Sequence, residues 1–261
     1  MLEITPLFSG SSGNSIHIKY GTYELLIDAG VSCRSICTAL QKIGSGIEKI
    51  SMVLVTHEHS DHISGLETIC KKTHMPVYIN ECSAAYIKTN KNYPFLSSCL
   101  KPFNAGEDIS PCEGLVIHAF KTPHDSCGSV GYSIKCADGD SFSYVTDIGY
   151  VTRDIAKNIF GSKTVIFESN HDINMLKSGI YPEFLKNRIL SQKGHLSNDA
   201  CAAFIPHLAK NGTEKIILAH LSKDNNTRTL AYETNRSVLD KEGFEKVVLE
   251  VAKRSILDDA T

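Results

Sequence analysis

The sequence lacks any C-x-x-C pair; its nine cysteines are scattered, the closest being Cys33 and Cys37. A disulfide framework needs paired thiols in an oxidising compartment, so this scatter points to a reducing interior. A charge imbalance is also missing. With 27 Lys and Arg against 29 Asp and Glu, the net charge of −2 excludes a chain that holds polyanions by bulk charge. It does not exclude a nuclease, because bound metals supply positive charge locally. No apolar run approaches the length of a membrane span. The opening MLEITPLFSG has no basic segment leading into a long apolar one, as a signal peptide would. These absences predict a cytoplasmic protein with no membrane partner. No repeat, low-complexity tract or linker divides the 261 residues, so one domain over 1–261 is expected, with 42% apolar content for its core.

What is present alternates between two periods. The runs LEITPLF, SIHIKY, YELLID, SMVLVT, PVYIN, LVIHAF, VGYSIK, SFSYVT, KTVIFES, EKIILAH and EKVVLEV are short and rich in β-branched or aromatic residues, and read as strands. Helical stretches fall at 33–43, 62–73, 81–89, 182–191, 197–210 and 226–241. The clearest, 197–210, has Ser197 or Asn198 as its cap and Cys201, Phe204, Ile205 and Leu208 at helical spacing, and Gly212 follows its end. Pro206 is expected to distort its second half. The pattern predicts one layered α/β domain.

The stretch MVLVTHEHSDHISG at 52–65 carries the chemistry. If the strand ends near Thr56, His57 and His59 project to the same side. Asp61 and His62 then fall where a helix begins, turned toward a neighbouring position. Two adjacent ligand pairs result. Histidine and aspartate without a thiolate suit zinc, manganese or iron and argue against a structural zinc finger. His124, Asp147 and His220 each follow a predicted strand. Any one alone reads as a capping or core residue; beside the histidine-rich stretch the three read as further ligands.

The motif H-E-H-S-D-H at 57–62, with His124, Asp147, His220 and I-D-A-G around Asp28, resembles the metallo-β-lactamase superfamily over roughly residues 2–252. The resemblance implies an αββα four-layer sandwich of the α/β class. It implies that His57, His59 and His124 bind one divalent ion and that Asp61, His62 and His220 bind a second. Asp147 would bridge them, and Asp28, otherwise an ordinary turn aspartate, would orient a ligand loop. Two ions (Mn²⁺, Zn²⁺ or Fe²⁺) would hold a bridging hydroxide as the nucleophile, with Asp61 orienting it and accepting its proton. The redox branch of the family typically has a carboxylate where His59 stands, which disfavours oxygen reduction.

Two further stretches, F-E-S-N-H-D and K-G-H-L-S-N, resemble the phosphodiesterase members such as tRNA 3′-processing endonucleases. There Glu168 would orient His195, and His195 would protonate the leaving oxygen, whose alkoxide is a poor leaving group. His195 also precedes a predicted helix N-terminus, which favours phosphate. With S-G-S-S-G-N-S at 9–15 and L-A-H-L-S-K-D-N-N, the set resembles the YycJ/WalJ (VicX) group of bacterial metallo-hydrolases, associated with DNA exonuclease activity. In the 9–15 loop, Ser11, Ser12 and Asn14 would approach substrate phosphates, or the loop is a flexible turn between strands. His171, with Asp172, would support a ligand or touch substrate; an ordinary loop is the competing reading. Cys127, in D-S-C-G, departs from the small or proline-containing sequence expected there, and is expected to sit near the metals as a site of thiol-reagent sensitivity.

Two absences sharpen the substrate. Asp147 and His220 are 73 positions apart (220 − 147), too few for the inserted domain of RNA-processing β-CASP relatives. Nor is there a long Gly/Pro-rich arm between His62 and His124 to grip a tRNA. The expectation is a two-metal phosphodiesterase acting on DNA rather than RNA, as a 5′ to 3′ exonuclease on duplex. The alternative is a thioesterase or lactonase using the same metals.

Overall fold

A computed structural model describes residues 1–258. Two sheets form, each with its strands side by side in chain order. The first holds β1 (Leu2–Phe8), β2 (Ser15–Tyr20), β3 (Tyr23–Ile27), β4 (Ile50–Leu54), β5 (Val77–Asn80) and β6 (Leu100–Phe103). The second holds β7 (Asp108–Cys112), β8 (Leu115–Lys121), β9 (Val130–Cys136), β10 (Ser141–Val145), β11 (Thr164–Glu168), β12 (Lys215–Ala219) and β13 (Val248–Val251). In each sheet the strands that follow one another through a turn pair antiparallel, and those reached through a helix pair parallel. That division follows from geometry, since a parallel neighbour needs a crossover connection.

Alternation along the strands builds the layers. Leu25 and Ile27, like Ile166 and Ile217, face the space between the sheets. Leu26 instead packs beneath α1 (Cys33–Lys42), α3 (Leu66–Thr73), α4 (Glu81–Thr89) and α5 (Pro94–Cys99). Val165, Phe167, Ile216 and Leu218 pack beneath α6 (Arg153–Ile159), α9 (Asn198–Lys210) and α10 (Arg228–Lys241). Strands buried on both faces read as continuous apolar runs, as these do. The result is the αββα sandwich expected. Among the described residues no helix is long and apolar enough to cross a membrane.

All eleven runs read as strands contain strands, with ends trimmed by up to three residues. β6 and β7 escaped notice because each carries a proline, Pro102 and Pro111, which an edge strand tolerates. Short helices α5, α6 and α7 (Ile173–Ser178) were also unforeseen. The helix expected over 62–73 is two pieces, α2 (Ser60–Ile63) and α3, parted at Ser64–Gly65. Gly65 donates its N–H to Ala29 O, and a Cβ there would lie 2.3 Å from Val31 O. Contrary to expectation, α9 runs unbroken through Pro206, because buried Cys201, Ile205 and Leu208 hold it on the sheet. Between α7 and α9 lies α8 (Glu183–Ile189).

Candidate metal centre

The parallel strands end at one rim, and the chain turns sharply there. Asp28 after β3, Asp147 after β10 and His220 after β12 all take left-handed backbone, with φ of 61°, 58° and 57°. Non-glycine residues in that region each cost about 1–3 kcal/mol and cluster at functional sites. The strand β4 delivers His57, and His59 caps α2, whose first turn carries Asp61 and His62. β8 leads to His124, and β11 ends on Glu168.

These side chains converge. His57 Nε2 lies 3.0 Å from His59 Nδ1, and the His124 ring is 4.9 and 5.1 Å from those two rings. Next to them, Asp61 Oδ2 is 3.3 Å from His62 Nε2 and 3.6 Å from His220 Nε2. Asp147 stands between the sets, with Oδ2 3.4 Å from His62 Nε2 and Oδ1 3.8 Å from His124 Nε2. Two of the four groups whose ligand atoms gather closely enough to hold an ion are His57, His59, His124 and Asp61, His62, His220. Asp147 Oδ2 and His220 Nε2 are buried without a hydrogen-bond partner. Such orphaned groups are costly, and a cation between them would satisfy both. The N/O donor set fits divalent zinc, manganese or iron.

A buried polar shell fixes these rings. Asp28 is fully buried; its Oδ2 lies 2.7 Å from His62 Nδ1, and its Oδ1 accepts from Thr56 N at 2.8 Å. The Thr56 hydroxyl sits 3.0 Å from His57 Nδ1. Asp28 is thus inside the site rather than at a surface turn, and it holds the His62 ring with Nε2 turned toward Asp61 and Asp147. Glu168, also fully buried, has Oε1 2.9 Å from both His195 Nδ1 and His220 Nδ1. Its Oε2 accepts from the backbone of Ile148 at 2.9 Å and Leu196 at 3.1 Å.

Titration follows this geometry. Burial alone would raise the Glu168 carboxyl, but the charge and hydrogen bonds of His195 and His220 hold it well below the usual range. Burial would likewise raise Asp61, and His62 and His220 outweigh it. Burial would lower His220, yet Asp147, Asp61 and Glu168 push it up to about 10. His62 is raised against burial by Asp28, Asp147 and Asp61, whereas burial and its neighbouring histidines hold His57 well down. Without an ion, His62 and His220 carry the positive charge that the carboxylates require. A bound ion must displace those protons.

The remaining candidates divide. Asn14 is buried under the site, its Nδ2 3.3 Å from both Asp61 O and His62 Nε2. The 9–15 loop is pinned rather than loose: Asn14 N donates to Asp61 O at 2.8 Å, and Ser9 Oγ accepts from His220 N at 2.9 Å. Ser11 and Ser12 are exposed at its tip and make no side-chain hydrogen bond among the described residues. His171 is buried, held down to about 4 by burial, with Nε2 unpartnered, and is in none of the ligand groups. Cys127 is exposed on a cavity wall that it shares with His59, as expected near the centre; slight desolvation and nearby Glu58 raise its thiol, which argues against the expected reactivity.

Other contributors were not among the residues singled out from the sequence. Arg188 clasps Asp125 beside His124 through Nη2–Oδ1 at 3.0 Å, across 63 residues. Asn170 Nδ2 donates to His220 O at 2.7 Å, and Asn226 Nδ2 reaches Asn170 O and Ser169 O, both at 3.0 Å. The N-N pair after His220 was the trace these amides left.

Comparison with known proteins agrees with this picture. The description "Beta-lactamase superfamily domain" matches residues 23–221. The chain is 35% identical over 250 residues to "Exodeoxyribonuclease YycJ" of Bacillus anthracis, spanning 93% of this chain and 91% of that one. It is 37% identical over 228 residues to "Exodeoxyribonuclease WalJ" of Streptococcus pneumoniae, spanning 87% and 84%. Among solved structures, Zn²⁺-bound PqqB from Methylobacterium extorquens superposes with a TM-score of 0.74 at 18% identity, over 99% of this chain and 100% of that one.

Proposed function

The chain belongs to the metallo-β-lactamase superfamily of hydrolases, and from that premise we propose that it is a two-metal phosphodiesterase that degrades DNA as an exonuclease. The observation that carries the reading is Glu168 bonded to both His195 and His220, which joins a proton donor to a metal ligand. His57, His59 and His124 would hold one divalent ion and Asp61, His62 and His220 a second, with Asp147 serving both sets. Bound there, two such ions supply Lewis acidity toward phosphate oxygens and a nucleophile from water at neutral pH. Asp61, whose side chain is 22% exposed at the mouth, accepts the proton released by the attacking water.

His195 is partly open to solvent, and its Nδ1–H donates to Glu168. Its Nε2 makes no hydrogen bond among the described residues, so it faces outward to protonate the departing oxygen. The relatives named exodeoxyribonucleases support DNA as the substrate, and digestion from the 5′ end of duplex is the polarity proposed. His195→Ala should lower DNA hydrolysis by about 10²–10⁴-fold with metal content unchanged. Full retained activity would overturn the role. The near-neutral net charge favours a second reading, a thioesterase or lactonase, which acyl thioester or lactone turnover without DNA hydrolysis would select.

A further inference from the structure

Beside the metal centre lies a cavity of about 480 Å³ that shares His59 with it. Its far wall comes from Tyr86 on α4 and from Asn90 and Tyr93 just beyond that helix. Tyr86 is 53% exposed, a large aromatic group left at the rim in water. Both carboxylates of the wall are already partnered. Glu58 accepts from Ser83 Oγ at 2.6 Å and from Cys127 N at 2.8 Å, and Asp125 is clasped by Arg188. Asn90 Oδ1 accepts from Asn92 N at 3.0 Å, which leaves its amide NH₂ to donate. The walls therefore offer aromatic faces and neutral polar groups; of the two carboxylates, Asp125 is neutralised by Arg188, and Glu58 keeps its charge with its oxygens turned to its own two donors.

A nucleobase has the matching chemistry: flat apolar faces to lie on an aromatic ring and polar edges to meet the asparagine amide. The volume falls in the range of about 300–1,000 Å³ typical of small-molecule pockets. We infer that this cavity receives the unpaired base of the nucleotide next to the scissile phosphate, stacked on Tyr86, an inference that rests on the nuclease reading above. Stacking of this kind is tolerant of sequence, as a general exonuclease requires. The enzyme then draws the terminal nucleotide off its partner strand before cutting.

The test uses metal-loaded protein and 2-aminopurine deoxyribonucleoside 5′-monophosphate, whose fluorescence is quenched on stacking. Wild type and Tyr86→Phe should bind and quench it, and Tyr86→Ala should bind about tenfold more weakly with little quenching. Tyr86 is a rim residue, so circular dichroism of the variant should match wild type. Equal binding and quenching by Tyr86→Ala, or none by wild type, would overturn the inference. DNA hydrolysis by the same preparations separates the two ideas. Quenching without hydrolysis of any DNA supports the base pocket and sinks the nuclease reading. Hydrolysis without quenching does the reverse.

Discussion

Glu168→Gln removes one charge and half the accepting capacity of a fully buried group that takes four hydrogen bonds, two at each oxygen. The glutamine carbonyl can serve one pair of donors. Its NH₂ must then face the other pair, either His195 and His220 or the backbone of Ile148 and Leu196. Two hydrogen bonds to a carboxylate are lost at about 1.5–3 kcal/mol each, and two donors are left buried against a donor. Relief of the carboxylate's own burial offsets part of this. The expected loss is about 3–5 kcal/mol, the range for breaking a buried charge pair. Urea denaturation of the metal-free protein, followed by circular dichroism, reads it as a lower midpoint at unchanged slope. A loss under about 1 kcal/mol would refute the reasoning, because it would mean that Glu168 does not hold these groups in place.

Other outcomes follow from the same geometry. The folded His220 is raised from 6.5 to about 10, so its stabilisation is full below 6.5 and is lost as pH rises through 10; the thermal midpoint of metal-free protein should fall across that window. Zn²⁺-loaded protein should lack that fall, since its histidine ligands are already neutral. At pH 8, Zn²⁺ binding should release about two protons, from His62 and His220, read from the dependence of calorimetric heat on buffer ionisation. In Gly30→Ala the new Cβ would stand 1.6 Å from Asp61 O, so the Asp61–His62 turn must shift. Metal affinity should then fall by about 10–100-fold in competition with a chromophoric chelator, and wild-type affinity would contradict the account.

How much of this the sequence carried depends on whether a signal was local. Short β-branched runs such as YELLI and TVIFE were legible as strands, though not which sheet face each side chain meets, and the H-E-H-S-D-H turn announced its candidate ligands because they lie within six residues. Asp147 and His220 were legible as candidate ligands from their places at strand ends beside the histidine-rich stretch; their left-handed backbone was not legible. Edge strands β6 and β7 were hidden by their prolines, and α9 kept its course because tertiary packing outweighed Pro206. The Arg188–Asp125 clasp and the Asn170–Asn226 network join residues brought together only by folding. Of the three loop residues singled out by the S-G-S-S-G-N-S motif, Asn14 touches the site whereas Ser11 and Ser12 are exposed, and Ser9, which was not singled out, accepts from His220 N.

The most direct measurement incubates Mn²⁺-loaded protein with 5′-phosphorylated duplex DNA and follows release of short products, beside Asp61→Ala and His195→Ala. The account predicts steady release by wild type, abolished by Asp61→Ala and cut about 10²–10⁴-fold by His195→Ala. No release from duplex DNA, single-stranded DNA or RNA, by protein shown to contain its metal, would contradict it.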